Sequence, residues 1–295
     1  MKPTTGRRIF LSINTVVLSF MALLCLIPVI HILALSLSER AVVSAGLVSL
    51  LPINFTTASY KYVLQKNEFW DAMLVSIKRI ILGGGLSIPI TIMTAYPLSK
   101  SNKKFKQRSI YAWFFIFTIL FHGGLIPSFM LIRGLKLIDS IWALVLPSVI
   151  QVYNIIMLMN FFRGLPDELE EAAFMDGAGH MRILWKIFVP ISTAGIATIT
   201  LFTMVGHWNE WFAGIIYMNR PKNYPLQSYL QTIVVQRSLS EINIASTTEM
   251  EELLLISDRT FKAAQIFIGM VPILCVYPFL QKYFMKGIVL GSVKG

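Results

Sequence analysis

Charge is what this sequence has least of. Only 14% of its 295 residues are charged, where an average soluble chain has ~25%. Acids are the scarcer sign, 15 Asp and Glu against 26 Lys and Arg. Hydrophobic residues make up 55%, and the mean hydropathy is +0.66. A soluble chain of this size has too little polar surface to cover so much apolar side chain. An ordinary cytosolic enzyme and a disordered chain are excluded, and a polytopic membrane protein is indicated. Cysteine is nearly absent: Cys25 and Cys275 lie in apolar runs, which excludes a disulfide scaffold and gives redox chemistry no support. The four histidines, His31, His122, His180 and His207, lack metal-ligand spacing, and no His-Glu-x-x-His occurs. No Gly-Lys dipeptide exists, so there is no Walker A loop and no ATP binding in that mode. The net charge of +11 raises nucleic acid as a partner, but basic flanks of membrane spans account for it better.

What is present is a series of apolar runs. A span needs ~20 largely apolar residues. Six candidates are 14–37, 80–98, 109–132, 141–162, 190–217 and 263–284. The first is too long for a signal-peptide core and is closed by no cleavage site, so it reads as a retained helix. Segments 1–13, 99–108, 163–189 and 285–295, with Lys282, carry 14 basic residues. The much longer segments 38–71, 133–140 and 218–262 carry only ten. The stretch Lys100-Ser-Asn-Lys103-Lys104-Phe-Lys106-Gln-Arg108 has five cations and no acid, and positive-inside logic puts it in the cytoplasm with both termini. The reading is an all-α, six-span protein of a cell membrane. Its regions are a cytoplasmic N-terminus at 1–13, a transmembrane domain at 14–284, an extracytoplasmic loop at 218–262 and a cytoplasmic tail at 285–295.

Two spans carry helix breakers, Gly83-Gly84-Gly85 with Pro89, and Gly123-Gly124 with Pro127. Each reads either as close helix packing or a kink, or as unwound backbone lining a cavity. Lys78 and Arg79, just before the second span, are expected to snorkel to the outer interface, with a polar cavity as the alternative.

The loop 163–189 holds Pro166-Asp167-Glu168-Leu169-Glu170-Glu171-Ala172-Ala173-Phe174-Met175-Asp176-Gly177-Ala178-Gly179-His180. Pro166 and the acids after it suit a helix N-terminus. Gly177 and Gly179 suit its end, and a second short helix is expected from Met181 to Val189. Two short helices at a sharp angle would project from the membrane, with small Ala172, Ala173 and Ala178 allowing close approach. On composition alone this is equally a knob for a partner's groove or a solvated loop.

The stretch resembles the EAA loop of membrane subunits of bacterial ABC importers: Glu171-Ala172-Ala173, Gly177 after three residues, and Ile187-Phe188-Val189-Pro190 after nine more. Val189 in place of leucine is the one departure. The resemblance covers nearly the whole chain and is closest to the sugar-importer branch that includes the second membrane subunit of maltose transporters. Phe121-His122-Gly123-Gly124-Leu125-Ile126-Pro127, Gly206-His207-Trp208-Asn209-Glu210-Trp211 and the end from Lys286 to Gly295 resemble complex-oligosaccharide permeases of Gram-positive bacteria. The resemblance implies that Glu171, Ala172, Ala173, Asp176 and Gly177, with Ala178 beside them, couple to a separate ATPase. It implies a second permease subunit, two ATPase subunits that bind the ATP and Mg, and an extracytoplasmic substrate-binding protein. This chain would need no cofactor, would not be an enzyme, and would have lipid but no nucleic acid as a partner.

Polar groups inside spans are pathway candidates. His207, Trp208, Asn209, Glu210 and Trp211 offer hydroxyl-binding groups and aromatic faces, as a sugar requires, and His122 is a second candidate. Aromatic belts and a satisfied bundle histidine are the competing explanations. An ion-coupled carrier is the rival class, and an importer of a non-sugar solute is another. Glu210 is the one acid in the six runs, placed near an outer end, which is poor provision for ion coupling.

Overall fold

The structure is a computed structural model that describes residues 5–65, 67–232 and 258–291. All regular structure among the described residues is helical. The predicted loop 218–262 therefore falls partly outside the described residues, as do the first four residues and the last four of the tail.

The chain divides into two units. The first comprises Met1–Asn67 with Ile233–Val271. Helix α1, Thr5–Ser36, covers the predicted first span except for its last residue and begins earlier than expected. Up to Ile27 its apolar residues are exposed all round, as lipid requires of a span, while Ala34 near its end is buried. Short helices α2 (Arg40–Ser44) and α3 (Ala58–Leu64) follow. Ser38 stitches this segment, donating to the Ala34 carbonyl at 2.6 Å and accepting from the Ile53 amide.

The second unit, Glu68–Thr232 with Pro272–Gly295, carries both candidate sites. Helix α4, Asn67–Ser99, runs unbroken for 33 residues through Gly83–Gly85, Pro89 and Pro97. The unwound reading of this span is thus corrected in favour of close packing. A Cβ on Gly83 would lie 2.6 Å from Cε1 of His207, so this glycine is where the imidazole fits. Beyond α4, three predicted spans are bent. Helices α5 (Arg108–Leu120) and α6 (Leu125–Gly134) meet at 111°. Gly124 at their junction has φ +90°, a conformation only glycine adopts freely. Helix α7 (Ile141–Val145), extended by a 3-10 turn to Ser148, meets α8 (Val152–Arg163) at 46°.

Helix α9 covers Glu168–Met175. Next come α10 (His180–Ile183), a π turn over Leu184–Phe188 and α11 (Val189–Ile191), and this run turns 85° into α12 (Thr193–Asn209). The π turn has a local cause: Pro190 has no amide hydrogen and crowds the preceding turn, which the wider spiral relieves. The expected continuous span 190–217 is therefore corrected. α12 ends at Asn209, Glu210 is extended, and α13 resumes at Phe212–Tyr217. The last helix, Asp258–Gly291, contains the predicted sixth span.

By length and apolarity, two helices among the described residues suffice to cross a membrane, or up to five segments when each bent pair counts as one. The main core joins α4, α8, α9, the π turn and α12 through Ile92, Tyr96, Leu158, Ala173, Leu184 and Ile199. Asn154 on α8 donates to Thr203 on α12 at 3.1 Å, a buried link of the kind that holds helices together in lipid.

Candidate functional site

Two groups of residues stand out, one at the C-terminal end of α4 and one beside its interior. At its C-terminal end, α9 ends in a Schellman cap. The Ala178 amide donates to the Ala173 carbonyl at 2.9 Å, and the Gly177 amide donates to the Phe174 carbonyl at 3.0 Å. Gly177 has φ +76°, so the expected turn glycine is needed for backbone conformation. The expected second helix starts at His180, one residue early.

The helical repeat gives α9 two faces. Glu170 and Ala173, three residues apart, are buried against the chain's own core. Glu171, Ala172, Asp176 and Gly177 are exposed, and Ala178 is half-buried. Met175 is 89% exposed and Phe174 40%, a large apolar outlay for a loop helix.

Glu170 was not among the expected site residues. Its Oε1 lies 2.5 Å from Lys100 Nζ and accepts from the Tyr96 hydroxyl at 3.0 Å, while Oε2 accepts from Lys104 Nζ at 3.0 Å. Lys100 Nζ also sits 4.0 Å above the Tyr96 ring and 4.1 Å above that of Phe188. Lys104 reaches Asp167 at 3.0 Å and Glu171 at 4.0 Å. Burial pushes the Glu170 carboxyl up, but bonds from Lys100 and Lys104 outweigh it and hold it below the ordinary value. Burial likewise lowers the Lys100 ammonium, which Glu170 only partly restores. Hydrogen bonds to Glu170 and Asp167 raise Lys104. Lysines expected only to mark a membrane side thus also hold α9. The signal available in sequence was the shared helical face of Glu170 and Ala173. Arg108 and Arg163 both donate to the Leu98 carbonyl, at 2.8 and 3.2 Å, where cations suit the C-terminus of α4.

The second group lies earlier on α4. Arg79 is 1% exposed and does not snorkel, which corrects the expectation for it; Lys78 is exposed. Arg79 donates to the Glu210 carboxylate at 2.7 Å and to its carbonyl at 2.9 Å. Glu210 Oε1 accepts the Ala213 amide at 2.8 Å, capping the start of α13. His207 is buried beside Gly83, and its Nε2 has no hydrogen-bond partner among the described residues. Trp208 is 4% exposed and so is packed inside the protein rather than facing a membrane interface, whereas Trp211 is 43% exposed. Asn209 is exposed. His122 lies in the α5–α6 break, exposed, and accepts from the Gly124 amide at 3.3 Å. The structure brings His207 and Glu210 to α4, then, while the contact recorded for His122 is local to its own break.

An apolar cavity of about 210 Å³ lies between Ile77 and Ile81 on α4 and Leu201, Met204 and Trp208 on α12, bounded by Pro272. A wall this apolar suits an acyl chain, not hydroxyls. Among the described residues no group of His, Cys, Asp and Glu gathers into a metal site.

Residues 87–289 match the model of a family described as binding-protein-dependent transport system inner membrane component. The polygalacturonan/rhamnogalacturonan transport system permease protein YtcP of Bacillus subtilis (strain 168) is 37% identical over 93% of this chain and 94% of its own length. Protein LplC of the same organism is 37% identical over 100% of this chain and 98% of its own. The crystal structure of a bacterial ABC transporter involved in the import of the acidic polysaccharide alginate contains a similar chain, with TM-score 0.81 and 32% identity, covering 96% of this chain and 99% of that one. The family match includes the α9 loop and the Glu210 break and begins after Arg79 and Gly83. The chain is a membrane protein of the binding-protein-dependent transport system inner membrane component family.

Proposed function

We propose that this chain is one of two permease subunits of an ATP-driven importer, forming half of a pathway for a carbohydrate, and specifically an oligosaccharide. The chain crosses the membrane six times with both termini cytoplasmic. Loop 163–189 couples it to a separate ATPase. Glu171, Ala172, Asp176 and Gly177 present the docking surface, with Ala173 and Ala178 setting its backbone. ATP and Mg belong to two partner ATPase subunits, and a substrate-binding protein delivers the sugar from outside. His207, Glu210, Asn209, Trp208, Trp211 and His122 are the residues proposed for the pathway. The carbohydrate class draws on relatives named for polygalacturonan, rhamnogalacturonan and alginate. Those polymers share acidic sugars, so uronate-bearing oligosaccharides are the first to try.

The observation that carries the coupling role is the division of α9 into two faces. Ala173 is packed into a core shared with α4, α8 and α12, while Met175 is left uncovered and Phe174 partly so on a capped helix outside the spans. A rigid helix with an exposed apolar face is suited to a partner's groove and to moving the spans with it. The test is ATPase activity of the purified assembly in nanodiscs, with binding protein loaded from a panel of oligosaccharides. Stimulation by one loaded form is expected. Proton- or sodium-driven uptake by this chain alone, with no associated ATPase, would overturn the proposal.

A further inference from the structure

We propose that Glu170, held by Lys100, Lys104 and Tyr96, is the positioning residue that locks the coupling helix α9 to the end of α4, so that a push on α9 moves α4. The inference rests on the coupling role proposed for loop 163–189 and goes beyond it. Of the residues implied by resemblance, Glu171, Ala172, Asp176 and Gly177 face outward, whereas Glu170, like Ala173, faces inward.

Three observations lead there. Glu170 is 1% exposed, yet both its oxygens are occupied by side chains from one short stretch, Tyr96 to Lys104. Lys100 adds a third element, because its ammonium lies over the Phe188 ring of the π turn as well as over Tyr96. One cation therefore contacts α4, α9 and the π turn leading to α12. Lys104 reaches two carboxylates one turn apart, Asp167 at the start of α9 and Glu170. The cluster thus fixes α9 in position and in rotation about its own axis.

Adhesion alone does not explain this arrangement. Ala173 already packs α9 into the core. Burying a carboxylate and an ammonium loses hydration that their attraction only roughly repays, and an apolar pair would hold two surfaces at least as well. What directional charged bonds add is a single register, and a register is what transmission between rigid elements requires.

The experiment uses the assembly purified through a tag on this chain, with Cys25 and Cys275 replaced by serine and one cysteine introduced by Lys78→Cys on exposed α4 surface. Its maleimide labelling rate is compared without nucleotide and with ATP plus vanadate, which needs no transported sugar. The unmodified loop should show a change of about fivefold or more, the lower end of ordinary coupling between sites. Glu170→Gln should abolish that change while the ATPase still co-purifies and still hydrolyses ATP. Lys104→Gln, at a partly exposed residue whose loss leaves the core intact, should reduce it in the same way and serves if Glu170→Gln fails to reach the membrane. An undiminished nucleotide response in these variants overturns the lock but leaves the coupling role standing. Loss of the ATPase from the Glu170→Gln assembly also overturns it, since Glu170 would then act in docking. No response even with the unmodified loop would instead sink the coupling role and the lock with it.

Discussion

Gly83→Ala is the most discriminating small change in this protein. The added methyl would stand 2.6 Å from Cε1 and 2.8 Å from Cδ2 of His207, and closer still to Nε2. Carbon atoms in comfortable contact are ~3.5–4.0 Å apart, so ring or helix must move by about an ångström. His207 is 2% exposed and has little room to swing. Overpacking of this kind costs typically ~1–3 kcal/mol. On propensity alone the same substitution would stabilise the helix by ~1 kcal/mol, because glycine is a poor helix residue. The two effects separate in a double-mutant cycle. In the native background Gly83→Ala should lower the apparent melting midpoint of the purified assembly. In a His207→Ala background, where the ring is gone, it should be neutral or stabilising. Such midpoints for membrane assemblies are operational, so heating rate and detergent must be held fixed. An equal loss in both backgrounds, or a gain in the native one, would refute the packing argument.

Other perturbations follow the same reasoning. At Gly177 (φ +76°, with open space around it) a side chain costs only backbone strain, so stability should fall in the order Gly, Asn, Ala, with Ala ~1–2 kcal/mol below Gly. Gly177→Asp should leave expression intact and abolish uptake; normal uptake would sink the coupling role. Glu210→Ala strands the buried Arg79 guanidinium and should cost up to ~3–5 kcal/mol. Arg79→Leu should cost less, because Glu210, 35% exposed, keeps access to water and still caps α13. Equal melting losses would contradict this. Asp139 fixes its loop by accepting from the Asn219 and Arg220 amides and the Asn223 and Arg220 side chains. Burial pushes its carboxyl up, but those bonds outweigh it and hold it below the ordinary value. Its contribution is complete above the ordinary carboxylate range and is lost as pH falls through the depressed value. The melting difference between the native chain and Asp139→Asn should therefore shrink on acidification, and a growing difference would argue against it.

Local chemistry was legible in the sequence and long-range partnership was not. The α9 turn could be placed because a helix end and its glycine are neighbours: Gly177 follows the acidic start of α9 by one short helix. The two glycine-rich spans could not be resolved, because glycine's lack of a Cβ serves both of its uses equally. Gly83 admits the ring of a residue far along the chain, while Gly124 supplies a positive φ inside a break. Arg79 was misplaced for a related reason. An apolar window opening at residue 80 puts it at a span's edge, whereas α4 begins at Asn67 and carries Arg79 deep into the helix.

Charge bookkeeping would have corrected that placement. A cation inside a span needs a counter-charge, and Glu210 is the one acid in the six apolar runs. Pairing the two predicts the ion pair that the structure contains; the interruption of the helix at Glu210, whose carboxylate also accepts the freed Ala213 amide, is what the pairing does not predict. The same logic applies at the C-terminal end of α4. Five cations with no local acid carried the expectation of a cytoplasmic side, yet two of them have carboxylates to satisfy across the fold. In a chain with so few acids, a carboxylate paired across the fold marks a junction between elements: Glu170 joins α9 to the C-terminal end of α4, and Glu210 joins the α12–α13 break to its interior.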